Sequence, residues 1–135
     1  MKIAITATAA SLDADIDPRF GRCQYFVIVD PETTGLEVLE NSGAMSGGGA
    51  GIATAQMIVG RGVEAVLTGN CGPNAYEVLE AAGIKVVTGV SGKVRQAIED
   101  YRSGKLKATS QPNVPGHFGM GRGIGGGRGM GRRQD

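Results

Sequence analysis

The sequence predicts an α/β fold: a mixed five-stranded sheet in the order 3-2-1-4-5, flanked by helices, laid down along the chain as βββαβαβα. Three observations predict it. Two β-branched apolar runs come first, Lys2 to Thr8 and Tyr25 to Asp30, of the kind that suits central strands. The second run meets a third, Leu36 to Asn41, across PETTG, a turn built on Pro31 and Gly35. Beyond that, short apolar runs alternate with helical periodicity, and glycines punctuate each change.

Each element follows from its residues. Lys2 to Thr8 carries no acid and reads as a buried strand; Tyr25–Asp30 and Leu36–Asn41 form a hairpin. In GGGAGIATAQMIVGRG, Ile52, Ala55 and Val59 recur at helical spacing until Gly60 and Gly62 stop the helix. Ala65 to Thr68 is a short buried strand. Pro73 fits a first helical position, Ala75, Val78, Leu79 and Ala82 share one face, and Gly83 closes that helix. Ile84 to Thr88 is the fifth strand, after which Ser91 can cap a helix whose Val94, Ala97, Ile98 and Tyr101 line one side before Gly104. Sequential strands pair antiparallel, whereas a β-α-β unit requires a parallel pair and a right-handed crossover. Placing the fourth strand beside the first gives the order 3-2-1-4-5, with strands 1, 3, 4 and 5 pointing one way.

Function then collects at one edge. The loop after strand 1, the GGGAG turn after strand 3, the NCG turn after strand 4 and the GVSG turn after strand 5 all emerge there. The last three feed helices, so three N-termini with unpaired N–H groups are expected around one basin that prefers anions. Such a crevice is the usual ligand location in open α/β sheets. Arg19 and Arg22, beside Cys23, belong to the same edge.

Composition excludes several classes. The chain has 135 residues, 41% of them hydrophobic, enough for one core. Two cysteines cannot form a disulfide scaffold, and MKIAITATAA lacks the apolar stretch of a signal peptide, so a cytoplasmic protein with reduced thiols and no membrane span is expected. Residues 1 to 115 carry 10 Lys+Arg against 12 Asp+Glu, while residues 116 to 135 carry four arginines against Asp135. That last stretch holds nine glycines in twenty residues and has almost nothing to bury. The expected division is therefore a folded unit over 1–112 and a disordered Gly/Arg-rich tail over 113–135. DADID fails as a calcium loop because Pro18 and Gln24 occupy the places of its glycine and glutamate. The glycine turn lacks a Walker lysine, GRGIGG at Gly121 to Gly126 has no strand before it, and the first strand has no acid for two-metal nuclease chemistry.

The stretches DPRFGRCQYFVIVD, SGGGAGIATAQ and TGNCGPNAYEVLEAAGIKV resemble the dinitrogenase iron-molybdenum cofactor biosynthesis family, the NifX/NifB C-terminal-like group of small cluster-binding domains, over about residues 1 to 107. The resemblance implies a ribonuclease H-like fold and transient binding of an iron-sulfur or molybdenum-iron-sulfur cluster, or a cofactor precursor. Such a cluster is a bulky anion that accepts N–H hydrogen bonds and prefers thiolate ligands. Cys71, beside a helix N-terminus, should have its thiolate favoured. The expected cofactor-binding set is Arg19, Arg22, Cys23, Gly47, Gly48, Gly49, Gly51, Asn70, Cys71, Gly72 and Asn74, with Cys71 and Cys23 as metal ligands and no catalytic residue. Some relatives use a histidine near the cluster, but the one histidine here is His117, in the tail. Two cysteines fall short of a four-cysteine site, which favours labile binding, or a homodimer that shares thiols. Cluster donor and acceptor proteins are the implied partners. The alternative is an RNA-binding module working through the tail, disfavoured because Phe118 is the tail's one aromatic.

Overall fold

β1 (Lys2–Ala7) runs through the middle of the sheet because IAITA offers small and β-branched side chains that can be covered on both faces, and Ile3 to Ala7 are all buried. The structure is a computed structural model and describes residues 2–33, 35–41 and 50–108. β2 (Tyr25–Val29) pairs antiparallel with β1, and β3 (Leu36–Glu40) pairs antiparallel with β2 in the register that sets Val27 opposite Val38. β4 (Val63–Leu67) joins β1 in parallel and β5 (Lys85–Val87) joins β4 in parallel. The order β3-β2-β1-β4-β5 is the one expected, and β1, β3, β4 and β5 point the same way.

Helices cover both faces. α1 (Ala50–Val59) and α2 (Pro73–Ala81) pack side by side over one face, where Phe26, Ile58, Val66 and Leu79 form a core. α3 (Val94–Arg102) covers the other, against Ile3, Ile5, Val27 and Leu67. Gly62, Gly83 and Gly104 close the three helices at positive φ, the conformation glycine adopts at least steric cost.

Two expectations need correction. α1 buries Ala50, Thr54, Ala55 and Ile58, while Ile52 and Val59 stand 39% and 37% exposed. AGIATAQMIV is apolar nearly all round, so its periodicity selects no single face, and the small residues turn inward where α2 comes close. α3 begins at Val94 with Lys93, not Ser91, as its N-cap. The expected division at residue 112 and the tail beyond it lie outside the described residues, as do Gly47, Gly48 and Gly49. No helix among the described residues is long and apolar enough to cross a membrane.

Candidate functional site

The turn after β4 carries Gly69, Asn70, Cys71 and Gly72 into α2, and the loop from Pro18 to Cys23 is stitched across it. Asn70 Nδ2 donates to the Pro18 carbonyl at 3.1 Å and Phe20 N–H donates to the Asn70 carbonyl at 3.2 Å, while Arg19 and Asn70 form a parallel bridge. Two glycines permit this closeness. A methyl group built on Gly69 would stand 2.7 Å from the Pro18 Cα, and one on Gly21 would stand 2.9 Å from the Gly51 Cα. The loop is thus wedged between the starts of α1 and α2. Those starts are neighbours, since a Cβ on Gly51 would lie 3.7 Å from that of Ala75.

α2 opens with Gly72 as its N-cap and Pro73 in its first turn, and no side chain caps it. Its end therefore presents a partial positive charge, with Asn74 exposed on the first turn. Arg19 extends into solvent with its side chain 65% exposed, and Arg22 is exposed as well. The third expected N-terminus is not there to use. Val94 and Arg95 N–H groups donate to the carbonyls of Ala14 and Leu12 at 3.0 and 2.9 Å, and Ile16 N–H donates to the Gly92 carbonyl at 2.8 Å. The segment from Leu12 to Ile16 seals α3, so two helix beginnings, not three, face the edge.

The thiols also depart from expectation. Cys23 and Cys71 are both buried, in one apolar cluster with Phe20, Phe26, Ala75 and Tyr76. Burial pushes the Cys71 thiol from 9.0 up to about 12. That displacement is worth roughly 4 kcal/mol, whereas a helix end contributes about 0.3–1 kcal/mol. Desolvation wins, and the favoured thiolate expected from position alone is corrected to a protonated thiol. For Cys23, burial leads, the nearby Asp17 carboxylate adds to it, and the thiol likewise reaches about 12. No group of three or more metal-ligating side chains occurs among the described residues.

Several residues that hold this site were not expected from the sequence. Asn41 Nδ2 donates to the Cys23 carbonyl at 2.9 Å and lies 3.6 Å from its sulfur. The Thr54 hydroxyl stands 3.1 Å from Asn41 Oδ1 and 3.3 Å from the Gly21 carbonyl, tying α1 to the loop. Thr6 Oγ1 donates to the Asp17 carbonyl at 2.7 Å and lies 3.1 Å from the Thr68 hydroxyl. A polar residue that ends a strand, such as Asn41, is the only signal of this network the sequence offers.

Two consequences are measurable. In the native protein at pH 7.5 neither thiol should react with iodoacetamide at the rate of a free cysteine, whereas both should in denaturant. Their protonated forms also add a pH-dependent term. With the folded pKa above the unfolded one, that stability is intact below about pH 9 and is lost as pH climbs from 9.0 toward about 12. At pH 10 the loss should be about 1 kcal/mol per thiol, seen as a lower urea midpoint that Cys71→Ala halves.

The family described as Dinitrogenase iron-molybdenum cofactor matches residues 1–104 of the chain. Among solved structures, the apo form of the orange protein from Desulfovibrio gigas is 41% identical, covers 84% of this chain and 96% of its own, and superposes with a TM-score of 0.81. A Thermotoga protein described as a putative NifB protein is 35% identical over 84% of this chain and 98% of its own, with a TM-score of 0.70. An uncharacterized protein of Methanocaldococcus jannaschii is 32% identical over 111 residues, covering 79% of this chain and 94% of its own.

Proposed function

The chain belongs to the dinitrogenase iron-molybdenum cofactor family, and from that premise we propose that it is a non-enzymatic carrier that binds an anionic iron-sulfur or molybdenum-iron-sulfur cluster, or a cofactor precursor, at the carboxyl edge of its sheet. The cargo passes from a donor protein to an acceptor. The observation that carries the reading is the convergence of the Arg19–Asn70 bridge with the uncapped start of α2. A guanidinium and a turn of backbone amides are the groups that neutralise and hydrogen-bond a sulfide-rich anion. In this reading Arg19 and Arg22 supply charge. Asn70, Gly72 and Asn74, with Gly51, line the approach.

Cys71 and Cys23 are the thiol ligands the chain can offer a metal. Being buried and protonated, they would bind after the rim has, once the Pro18–Cys23 loop gives way, and each would release its proton. That order suits a cargo held briefly. A homodimer would double the number of thiols, and a cytoplasmic setting would keep them reduced.

Anaerobic addition of iron and sulfide, or of tetrathiomolybdate, to the apoprotein should give a charge-transfer absorption band. Cys71→Ala should reduce that band by about half or more, and a chain ending at residue 108 should retain uptake. Identical spectra for the wild type and Cys71→Ala would remove the ligand role. Loss of all uptake with the tail, together with RNA binding by the full chain, would favour the nucleic-acid reading instead.

A further inference from the structure

Asp17 is the charged residue that the edge hides. It is 4% exposed, unlike Asp13 and Asp15 of the same DADID run, which reach out to Arg95 and Lys93 on the α3 side at 3.0 and 2.9 Å. Its Oδ1 accepts the Arg19 N–H at 2.9 Å and lies 3.4 Å from Arg19 Nε. Thr6 donates to its main-chain carbonyl, not to the carboxylate, and Oδ2 has no hydrogen-bond partner among the described residues. A buried carboxylate is costly to keep ionised, and this loop position could as well hold asparagine, which would also accept the Arg19 N–H. The site spends that cost on an anion placed directly beneath the cation that faces the cargo.

We propose that Asp17 is the counter-ion that restrains Arg19 and thereby limits how tightly the edge holds an anionic cargo, so that the cargo can leave. The inference rests on the carrier reading and adds its regulation. In the free protein the guanidinium is drawn back along its Nε toward Asp17, while the Arg19 side chain as a whole stays 65% exposed. An arriving anion competes with Asp17 for the same cation and gains only the difference between the two interactions. This competition acts on release as much as on capture.

The test uses the full-length chain without oxygen and tetrathiomolybdate as the probe, with dissociation constants from equilibrium dialysis. Asp17→Asn keeps the acceptor for the Arg19 N–H and should bind about three- to tenfold tighter, with the gain shrinking at 1 M salt. Arg19→Gln should bind more weakly by a similar factor, and in that background Asp17→Asn should add nothing. If Arg19→Gln weakens binding while Asp17→Asn leaves it equal or weaker, the Asp17 inference is overturned and the carrier reading stands. A gain that persists without Arg19 overturns it too, because Asp17 would then act otherwise than through that residue. Binding indifferent to Arg19 removes the arginine from the reading and the inference with it. Should Asp17→Asn not fold, the wild type decides: the Arg19 Nε–H resonance should shift as tetrathiomolybdate is added, and an unmoved resonance overturns the proposal.

Discussion

Gly69→Ala should destabilise the protein by about 2–3 kcal/mol and detach the Pro18–Cys23 loop from the turn that carries Cys71. The added methyl would stand 2.7 Å from the Pro18 Cα and 3.1 Å from both its Cβ and its carbonyl oxygen. None of these is the flexible end of a side chain, and proline cannot change its φ to make room. The loop must therefore retreat, giving up the Phe20-to-Asn70 and Asn70-to-Pro18 hydrogen bonds. Gly62 offers the contrast. It sits at φ 71 with nothing within 4 Å of a Cβ, so alanine there meets only the left-handed backbone penalty, of about 1 kcal/mol. Urea denaturation of both variants measures the difference. A Gly69→Ala midpoint within error of wild type would show that the loop does not rest on the turn.

Phe20→Ala should cost more, about 3–4 kcal/mol, and should make both cysteines accessible. The ring is 2% exposed and meets Phe26 edge-on, with centroids 5.6 Å apart and planes at 66°. It belongs to the same buried cluster as Cys23 and Cys71, so its removal opens a cavity in the core that holds both thiols. Alkylation of the folded variant should quicken by tenfold or more, and iron-sulfide uptake should quicken with it. Ile5→Ala serves as control. That side chain is fully buried in β1 within the core on the other face of the sheet, so a comparable loss of stability there should speed alkylation less. Equal acceleration in both variants would mean that global unfolding, not the covering by Phe20, sets thiol access.

The sheet was legible because its signals are local. YFVIVD and LEVLEN face each other across a proline-glycine turn, and the glycines that end the helices sit where positive φ is needed, at Gly62, Gly83 and Gly104. The edge was legible from topology, and the Arg19–Asn70 bridge joins two of the residues expected at it. What escaped depends on contacts distant along the chain. The burial of Cys71 arises from a loop about fifty residues earlier folding over it, and no spacing around NCG encodes that. The loss of the α3 N-terminus follows from carbonyls at Leu12 and Ala14, in a stretch that reads as a solvated acidic run. Asp17 looks like the third member of that run, yet the Thr6 hydroxyl bonded to its main chain draws it inward while its neighbours stay out.

The meeting of Gly21 with Gly51 has a mechanical consequence. Two backbones in contact, without side chains between them to slide or bend, transmit displacement as a rigid joint does. Lifting the Pro18–Cys23 loop must then disturb the start of α1, which Thr54 further along the helix also ties to the Gly21 carbonyl. Unveiling the thiols and loosening that helix are one movement, and whatever drives either drives both.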